Sequence, residues 1–279
     1  MHPEKPSRTA QRVAERRAAH QLLDKPLVFN DPLAVRIIGA RAEANLPEQP
    51  KNFVAARFRA FMAARARFAE DELADAVARG VKQYVVLGAG LDTFAYRNPY
   101  PELRVYEVDH PATQAWKRKR LAQVGIAVPS SMTFAPVDFD RETFDEGLHK
   151  VGFDERAPTF FSWLGVTMYL EIDVVFGTLR AIHEMNAANA ITFDYAVPRD
   201  TLSFVGRLAL DAVARKVKKA GEPFRGFFAP ATLAETLRGI GYTHIEDLGS
   251  HELDARYFSG RADKLHPRGQ LGRLMSARG

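Results

Sequence analysis

The sequence has 279 residues, of which 46% are hydrophobic, 26% charged and 10% aromatic, which is typical of a globular protein and excludes a disordered or collagen-like chain. It contains no cysteine, which excludes disulfides, thiolate catalysis and cysteine-bound zinc or iron–sulfur clusters. The net charge of +5 arises from 39 basic and 34 acidic residues that are interspersed, so we expect a mixed solvated surface and no nucleic-acid partner.

The length also limits how the chain is organised. A chain of this size buries roughly 70–75% of its unfolded surface, so we expect a single domain over residues 1–279. Residues 1–20 carry basic side chains but no apolar segment, and no stretch approaches the roughly 18 consecutive apolar residues of a membrane span. We therefore expect a cytoplasmic protein that binds no membrane. Its oligomeric state cannot be predicted from the sequence.

Residues 1–80 are predicted to form a helical cap. Segments rich in alanine and arginine are interrupted at Asp31-Pro32 and at Pro47–Pro50, and they show no alternation of period two. From residue 81 the pattern changes to short β-rich runs separated by helical stretches. The first five runs are almost wholly apolar, as parallel strands covered on both faces are: QYVVLGAG, LRVYEVD, MTFAPVDF, TFFSWL and AITFDYAV.

This pattern predicts an α/β fold with a doubly wound, mostly parallel, seven-stranded sheet. Residues 81–197 contain the first five strands, and residues 198–230 form a helical insertion after the fifth strand that can cover the strand ends as a lid. Residues 231–279 add a closing helix and two strands, near HIEDL and RLMSAR.

The first predicted strand ends in a glycine-containing loop, Leu87-Gly88-Ala89-Gly90-Leu91-Asp92-Thr93. Glycines 88 and 90 permit a sharp turn and let a ligand approach the backbone, although turns after strands often contain glycine. The second strand ends at Asp109, 19 residues beyond Gly90, where a doubly wound sheet commonly places the carboxylate that binds a ribose diol. This spacing favours a nucleotide site.

The same loop favours one cofactor over another. A dinucleotide fingerprint needs a third glycine three residues after Gly90, and Thr93 occupies that position. Asp92 would also place negative charge beside the phosphates of such a ligand. A cofactor with a ribose but no phosphate fits better, and S-adenosyl-L-methionine, whose sulfonium is cationic, is the common one. An NAD-dependent oxidoreductase stays the less favoured alternative.

Arg65 provides an independent indication of a site for this cofactor. It falls on the helix face that carries the apolar residues Phe58, Phe61, Met62, Phe68 and Leu73. A guanidinium directed at a core needs an anion. That anion can be an internal carboxylate in an ion pair, or the carboxylate of the cofactor's methionine tail, bound bidentately. The spacing alone favours neither.

Four stretches together resemble a known family: LGAGLDTFAYR, YEVDHPATQAWKRKRL, the VDF of Val137 to Phe139, and FFSWLGVTMYL. They are similar to the leucine carboxyl methyltransferase-like family of class I S-adenosylmethionine-dependent methyltransferases, in its bacterial O-methyltransferase branch. The similarity includes DPLA near Asp31 and ARARFAED around Arg65, and it spans most of the chain. It implies the class I methyltransferase sheet and methyl transfer to a carboxyl or hydroxyl oxygen of a small-molecule acceptor.

The resemblance also implies how the cofactor is held, by residues 81–197, its binding half, together with Arg65 from the cap. Arg65 falls where the family places the arginine that holds the cofactor carboxylate, and Gly88, Ala89 and Gly90 fall on the loop that borders the methionine portion. Asp109 matches the ribose-binding acid, with Glu107 as a less favoured substitute.

Three further positions concern the two ends of the cofactor. Asp138 and Phe139 match the family's pair at the adenine, although Asp138 can also be a turn cap.

Many relatives have an acidic residue where this chain has Leu164, at the end of the fourth strand. An apolar side chain cannot bind the cofactor's ammonium group, so we expect Leu164 to be a wall of the cofactor pocket. Backbone carbonyls of residues 162–164 or another anion would then bind the ammonium, or the affinity would be lower.

The sequence identifies neither a catalytic residue nor a metal site. Methyl transfer is an in-line displacement that depends mainly on alignment, and a carboxylate acceptor needs no base. A phenol would benefit from one, for which Asp194 and Tyr195 at the end of the fifth strand are candidates. The histidines, including His110 and His183, show no metal-ligand spacing, so we expect structural or surface roles. A cofactor-binding protein without catalysis is a third possibility.

Overall fold

Strands and helices alternate along most of the chain in the computed structural model, which describes residues 8–46, 53–139, 141–219, 221 and 223–279. The strands are β1 (Gln83–Leu87), β2 (Arg104–Asp109), β3 (Met132–Pro136), β4 (Thr159–Trp163), β5 (Ala190–Ala196), β6 (His244–Leu248) and β7 (Gly272–Arg278). The helices are α1 (Arg8–Leu23), α2 (Ala34–Ile38), α3 (Ala40–Ala44), α4 (Phe53–Ala78), α5 (Pro111–Gln123), α6 (Phe144–His149), α7 (Ile172–Met185), α8 (Phe204–Lys219), α9 (Pro230–Ile240) and α10 (Ser250–Tyr257). Within these described ranges, no helix is both long and apolar enough to cross a bilayer.

The strands form one sheet in the order β3-β2-β1-β4-β5-β7-β6. β1 pairs in parallel with β2 and with β4, so that Val85 lies opposite Tyr106 on one side and Phe161 on the other. β7 runs antiparallel to both β5 and β6. Every residue of β1, β4 and β5 is buried, as expected for strands covered by helices on both faces. The predicted doubly wound, mostly parallel, seven-stranded sheet is confirmed.

Each face of the sheet packs against its own set of helices. On one face the cap helices α1, α2 and α4, together with α5, bury the side chains of Ala18, Ile37, Leu73 and Leu121 against Tyr84, Val105 and Phe160. On the other face α6, α7 and α9 bury Leu148, Leu179 and Leu233 against Val85, Val108 and Phe161. Alternate residues of each strand therefore face different helical layers.

Two local features differ from a simple alternation of strands and helices. β1 and β2 are joined without an α-helix, because Pro99 and Pro101 lack the N–H that a helix needs, and only a 3₁₀ turn forms at Phe94–Tyr96. α10 lies between β6 and β7, where the sequence pattern did not predict a helix. Leu253 is the fully buried residue of α10, so the apolar periodicity of this helix is weak.

The predicted break at Asp31-Pro32 does separate α1 from α2, whereas Pro47–Pro50 lies outside the described residues.

A buried ion pair joins two helices of the cap. Arg59 on α4 donates two hydrogen bonds of 2.7 Å to the two carboxylate oxygens of Asp24, just after α1. His20 contacts the same carboxylate at 2.9 Å through Nδ1, while its Nε2 accepts from the Val28 backbone N–H at 3.1 Å. Burial opposes the charge on Asp24, but Arg59 and His20 outweigh it and lower the pKa of Asp24.

Asp24→Asn is expected to lower the free energy of unfolding at pH 7 by about 3–5 kcal/mol, because it leaves the buried Arg59 guanidinium without its anion. Since the folded pKa of Asp24 is lowered, its stabilisation is present above the ordinary aspartate pKa and is lost as the pH falls through that range. The difference between wild type and variant should therefore shrink below about pH 4, as measured by urea denaturation over a pH series.

Glu102→Gln is the matched control, because Glu102 forms an exposed ion pair with Lys82. We expect only a small change in stability from this substitution. An Asp24→Asn effect as small as that of the control would contradict a stabilising role for the buried pair.

Candidate functional site

The order of the strands reverses between β1 and β4, since β2 and β3 follow β1 on one side and β5 follows β4 on the other. Such a reversal leaves a crevice at the carboxyl ends of the strands, where open α/β sheets bind ligands. The loops after β1 and β4 border it and come close together. A Cβ added to Gly88, whose φ is 69°, would lie 2.5 Å from Cγ2 of Val166. Position 88 therefore has no room for a side chain.

Asp109 ends β2 and turns its carboxylate towards the glycine loop. Its Oδ2 accepts a hydrogen bond of 2.6 Å from the Gly90 backbone N–H, and its Oδ1 accepts one of 2.7 Å from that of His110. Burial raises the pKa of Asp109, although the two N–H donors oppose the shift. The carboxylate selected from the sequence and the glycine loop are thus in direct contact.

Glu107, the substitute considered for Asp109, is engaged on another side. Its Oε2 accepts hydrogen bonds from Nζ of Lys117 at 2.6 Å and from the Tyr96 hydroxyl at 3.3 Å. Burial raises the pKa of Glu107 to about 7, even though Lys117 lowers it. Of the two carboxylates, Asp109 is the one that contacts the loop.

Helix α1 packs directly on the glycine loop. A Cβ on Gly90 would lie 3.0 Å from the Cβ of Ala10. Arg17 donates to the Leu91 carbonyl oxygen at 2.6 Å and to Oδ2 of Asp92 at 3.1 Å. Burial opposes the charge on Asp92, but Arg17 and other nearby cations lower its pKa. The Asp92 carboxylate therefore serves the contact between the cap and the sheet.

Thr93, at the position of the third glycine of a dinucleotide fingerprint, also belongs to this contact. Its hydroxyl donates to Oδ2 of Asp31 at 2.7 Å, and Nε of Arg97 lies 3.4 Å from Oδ1 of the same carboxylate. The residues that follow form the 3₁₀ turn instead of an α-helix. In the described connection between β1 and β2 there is thus no α-helix N-terminus that would hold a pyrophosphate.

Arg65 on α4 forms a buried ion pair with Asp194 on β5. Its Nη1 lies 2.7 Å from Oδ2 of Asp194, and the two residues are 6% and 1% exposed. Oδ1 of Asp194 accepts a hydrogen bond of 2.5 Å from the backbone N–H of Gly165, directly after Leu164. The internal ion pair considered from the sequence is therefore present, and it lies at the loop that borders the crevice.

Asp138 and Phe139 follow β3 at the same edge of the sheet. The Asp138 backbone oxygen accepts from the N–H groups of Arg141 and Glu142 at 2.8 and 3.0 Å, which is a turn of the kind considered from the sequence. Its side chain is 29% exposed and lies 3.4 Å from Nε of Arg141. Phe139 is 55% exposed, so its ring offers an apolar surface there.

Leu164 is half-buried and follows the last residue of β4. Two residues earlier, the buried Ser162 hydroxyl shares a hydrogen bond of 2.7 Å with the Tyr84 hydroxyl. The predicted lid insertion, residues 198–230, returns along this loop. Backbone N–H groups of Arg225 and Gly226 donate to the Met168 carbonyl oxygen, and the rings of Phe224 and Tyr169 lie 5.4 Å apart.

The structure separates the two candidate bases. Asp194 faces α4, whereas the Tyr195 hydroxyl donates to Oδ1 of Asp247 at 2.9 Å on the opposite face of the sheet. Burial also raises the pKa of Tyr195. Of the two histidines singled out, His110 caps α5 by accepting from the Ala112 N–H, and the ring of His183 packs 5.1 Å from that of Tyr242.

The strand order and the crevice define a class I methyltransferase fold. A solved DUF574 family protein from Streptomyces avermitilis has a similar fold, with a TM-score of 0.57 at 16% sequence identity over 95% of this chain and 97% of that one. The magnesium protoporphyrin IX methyltransferase of Synechocystis PCC 6803, solved with bound SAH, matches with a TM-score of 0.51 at 14% identity over 88% and 91% of the two chains.

The sequence comparisons define the family. Residues 10–183 match the model of the leucine carboxyl methyltransferase family, and the chain belongs to this family. YktD of Bacillus subtilis, named as an S-adenosyl-L-methionine-dependent methyltransferase, is 32% identical over 89% of this chain and 90% of its own. A protein of Mycolicibacterium gilvum with the same description is 33% identical over 68% and 66% of the two chains. The predicted family is thus confirmed.

The contact between Asp194 and Gly165 was not predicted from the sequence. Asp194 was considered only as a base, and Gly165 was not singled out. A signal was available for the pair, because a carboxylate in an otherwise apolar strand, ITFDYAV, needs a buried cation, and Arg65 needs a buried anion. Their proximity depends on how α4 crosses the sheet, and no local pattern describes that.

Gly165→Ala is expected to lower the free energy of unfolding by about 1–3 kcal/mol, because φ is 76° at this position, a conformation that side chains rarely adopt. The added Cβ would also lie 3.0 Å from Nη1 of Arg65, which must shift. Thermal denaturation measures the loss. Gly177→Ala in α7 is the control, since no atom lies within 4 Å of its added Cβ, and it should be neutral or stabilising. If Gly165→Ala were as stable as Gly177→Ala, position 165 would accept a side chain without strain, which would contradict this prediction.

Proposed function

We propose that this protein transfers a methyl group from S-adenosyl-L-methionine to a carboxyl or hydroxyl oxygen of a small molecule, in the cytoplasm. Membership of the leucine carboxyl methyltransferase family and the relatives that share its sequence support both the activity and the cofactor. The observation that carries the proposal is that Asp109 contacts the glycine loop after β1, and Arg65 the loop after β4, where these two loops border the crevice.

The residues around the crevice fit the ribose and the amino-acid end of this cofactor. In the proposal, the Asp109 carboxylate accepts hydrogen bonds from the ribose hydroxyls, and Arg65 donates to the cofactor carboxylate. The loop of Gly88, Ala89 and Gly90 would border the methionine portion with its backbone, since Val166 and Ala10 occupy the space that side chains at positions 88 and 90 would need. The bound cofactor supplies a methyl group on a cationic sulfur as the electrophile.

The adenine end is assigned to the turn after β3. Asp138, which is partly exposed, would accept from the exocyclic amine, and the exposed ring of Phe139 would cover the apolar face of the base. Leu164 would form the apolar wall on the β4 side.

Positive charge on the cap side of the site favours an acidic acceptor. Burial, and next the repulsion from Arg12, lower the pKa of Arg16; Glu15 and Tyr169 oppose this shift, and repulsion from Arg65 adds to it. The Arg16 guanidinium lies 4.5 Å from the centre of the Phe58 ring and donates a hydrogen bond of 3.3 Å to the Arg12 carbonyl oxygen. An anion bound nearby would relieve this repulsion, so a carboxylate is the favoured acceptor.

The chain's contribution to the reaction is positioning. Direct transfer requires the acceptor oxygen about 3–3.5 Å from the methyl carbon and in line with the bond that breaks. A carboxylate is ionised at neutral pH, so no protein group has to remove a proton. The packing of α1 and of the returning insertion segment around the loops after β1 and β4 would exclude water and orient the acceptor.

Two alternatives are less well supported. A dinucleotide would need a helix N-terminus after β1, where this chain has a 3₁₀ turn and an Asp92 carboxylate paired with Arg17. A protein that binds the cofactor without catalysis would have the same crevice, and only turnover distinguishes it from an enzyme.

Asp109→Ala is expected to weaken binding of S-adenosylhomocysteine by about 1–3 kcal/mol through the loss of charge-assisted hydrogen bonds to the ribose. Isothermal titration calorimetry measures the affinity, and thermal denaturation checks that the variant is folded. Asp75→Ala, at an exposed position of α4, is the control and should bind normally. Unchanged affinity of Asp109→Ala would transfer the ribose role to Glu107, and wild type that does not bind at millimolar ligand would contradict the proposed function.

The acceptor class is expected to show in the pH dependence of turnover. Release of S-adenosylhomocysteine is measured over a panel of carboxylic acids and phenols between about pH 6 and about pH 9. With a carboxylate acceptor kcat/KM should change little, because the nucleophile is ionised throughout; with a phenol of pKa near 10 and no base, it should rise about tenfold per pH unit. Cofactor binding with no turnover of either class would favour the non-catalytic alternative.

A further inference from the structure

The apolar side chain of Leu164 raises the question of which group binds the ammonium of the cofactor. The amino-acid end carries an ammonium as well as a carboxylate, and Arg65 can serve only the carboxylate. A buried ammonium without an anion or hydrogen-bond acceptors is strongly unfavourable. An anion near Leu164 would resolve this imbalance.

Asp194 lies at the right level of the sheet to supply that anion. β4 and β5 are parallel neighbours, and Trp163 is in register with Phe193, so the next residues along the two strands, Leu164 and Asp194, lie side by side. The Gly165 N–H that donates to Oδ1 of Asp194 at 2.5 Å confirms that the carboxylate reaches the loop after β4. The negative charge is thus displaced by one strand relative to the position of Leu164.

The ion pair also keeps free hydrogen-bonding capacity. Arginine has five N–H donors, and among the described residues Arg65 uses one of them, on Oδ2 of Asp194. A carboxylate offers about four acceptor sites, and the Asp194 carboxylate uses one for Arg65 and one for Gly165. Both groups can therefore bind a ligand without breaking their mutual contact.

The charges of the pair match those of the ligand. The Arg65–Asp194 pair, which is nearly inaccessible to water, has one positive and one negative charge, and the cofactor's amino-acid end has one carboxylate and one ammonium. If the cofactor's amino-acid end lies antiparallel to the Arg65–Asp194 pair, each of its charges faces a charge of opposite sign. Such contacts are strong because the local dielectric constant is low.

We propose that Asp194 binds the ammonium group of the cofactor's amino-acid end, which the apolar side chain of Leu164 cannot bind. This inference rests on the proposed function. Asp194 and Arg65 then act as a pair of opposite charges for the zwitterionic amino-acid end. The Gly165 N–H holds the Asp194 carboxylate level with the loop after β4.

Four ligands separate the contributions of the two charges. S-Adenosylhomocysteine carries both groups and 5′-methylthioadenosine carries neither. The amine analogue, 5′-deoxy-5′-(3-aminopropylthio)adenosine, keeps the ammonium, and the acid analogue, 5′-deoxy-5′-(3-carboxypropylthio)adenosine, keeps the carboxylate. Calorimetric affinities of wild type and Asp194→Asn are compared for all four. Asp24→Asn is the control, because it also removes the anion of a buried arginine pair, the one that joins Asp24 to Arg59 within the cap.

Asp194→Asn is expected to weaken binding of the amine analogue and of S-adenosylhomocysteine by about 10- to 100-fold, and to leave 5′-methylthioadenosine within about twofold. The acid analogue should bind equally well or more tightly, because Arg65 loses a competing anion. If Asp194 serves only to position Arg65, the acid analogue weakens instead and the amine analogue does not change, and this outcome overturns the proposal. Asp24→Asn should bind all four ligands as wild type does.

Wild type alone provides a test that does not depend on the folding of the variant. The amine analogue should bind wild type more tightly than 5′-methylthioadenosine does, and equal affinities would overturn the proposal. Adding Leu164→Glu to Asp194→Asn should restore affinity for the amine analogue, because the carboxylate returns on the neighbouring strand. Failure of wild type to bind S-adenosylhomocysteine and 5′-methylthioadenosine would contradict the proposed function itself, whereas normal binding with no dependence on Asp194 would contradict only this inference.

Discussion

A guanidinium from the cap and a carboxylate from the sheet meet inside the protein, where Nη1 of Arg65 lies 2.7 Å from Oδ2 of Asp194. Each charge would be very unfavourable alone at this depth, because burial removes the water that solvates it. The pair therefore requires α4 to cross the sheet at the level of the carboxyl ends of β4 and β5. The contact of Gly165 with β5 and the charges on the β4 side of the crevice depend on this pair.

The cap is consequently part of the site. Arg17 reaches the Leu91 carbonyl and the Asp92 carboxylate of the glycine loop, and Asp31 receives the Thr93 hydroxyl. These contacts explain why the loop departs from a dinucleotide fingerprint. The Asp92 carboxylate, which would repel a pyrophosphate, and the Thr93 hydroxyl are used to attach the cap helices to the end of β1.

Contacts between protein groups also organise the carboxylate at the end of β2. Asp109 accepts from the Gly90 and His110 N–H groups, so that its position is defined by the loop and by the start of α5. Charged groups lie on both sides of the crevice, with Asp109 at the end of β2 and the Arg65–Asp194 pair between α4 and β5.

The sequence by itself determined the strands, their parallel character, and the loop and carboxylate that follow β1 and β2, because alternation, glycine spacing and apolar runs are properties of local segments. It also indicated that Arg65 must face an anion. Only the tertiary structure decided that this anion is Asp194, that Asp92 and Thr93 belong to the cap contact, and that Tyr195 faces away from the crevice. These outcomes depend on how α1 and α4 cross the sheet and on the register between β4 and β5. Such relations join residues far apart in the chain, and a local pattern carries no information about them.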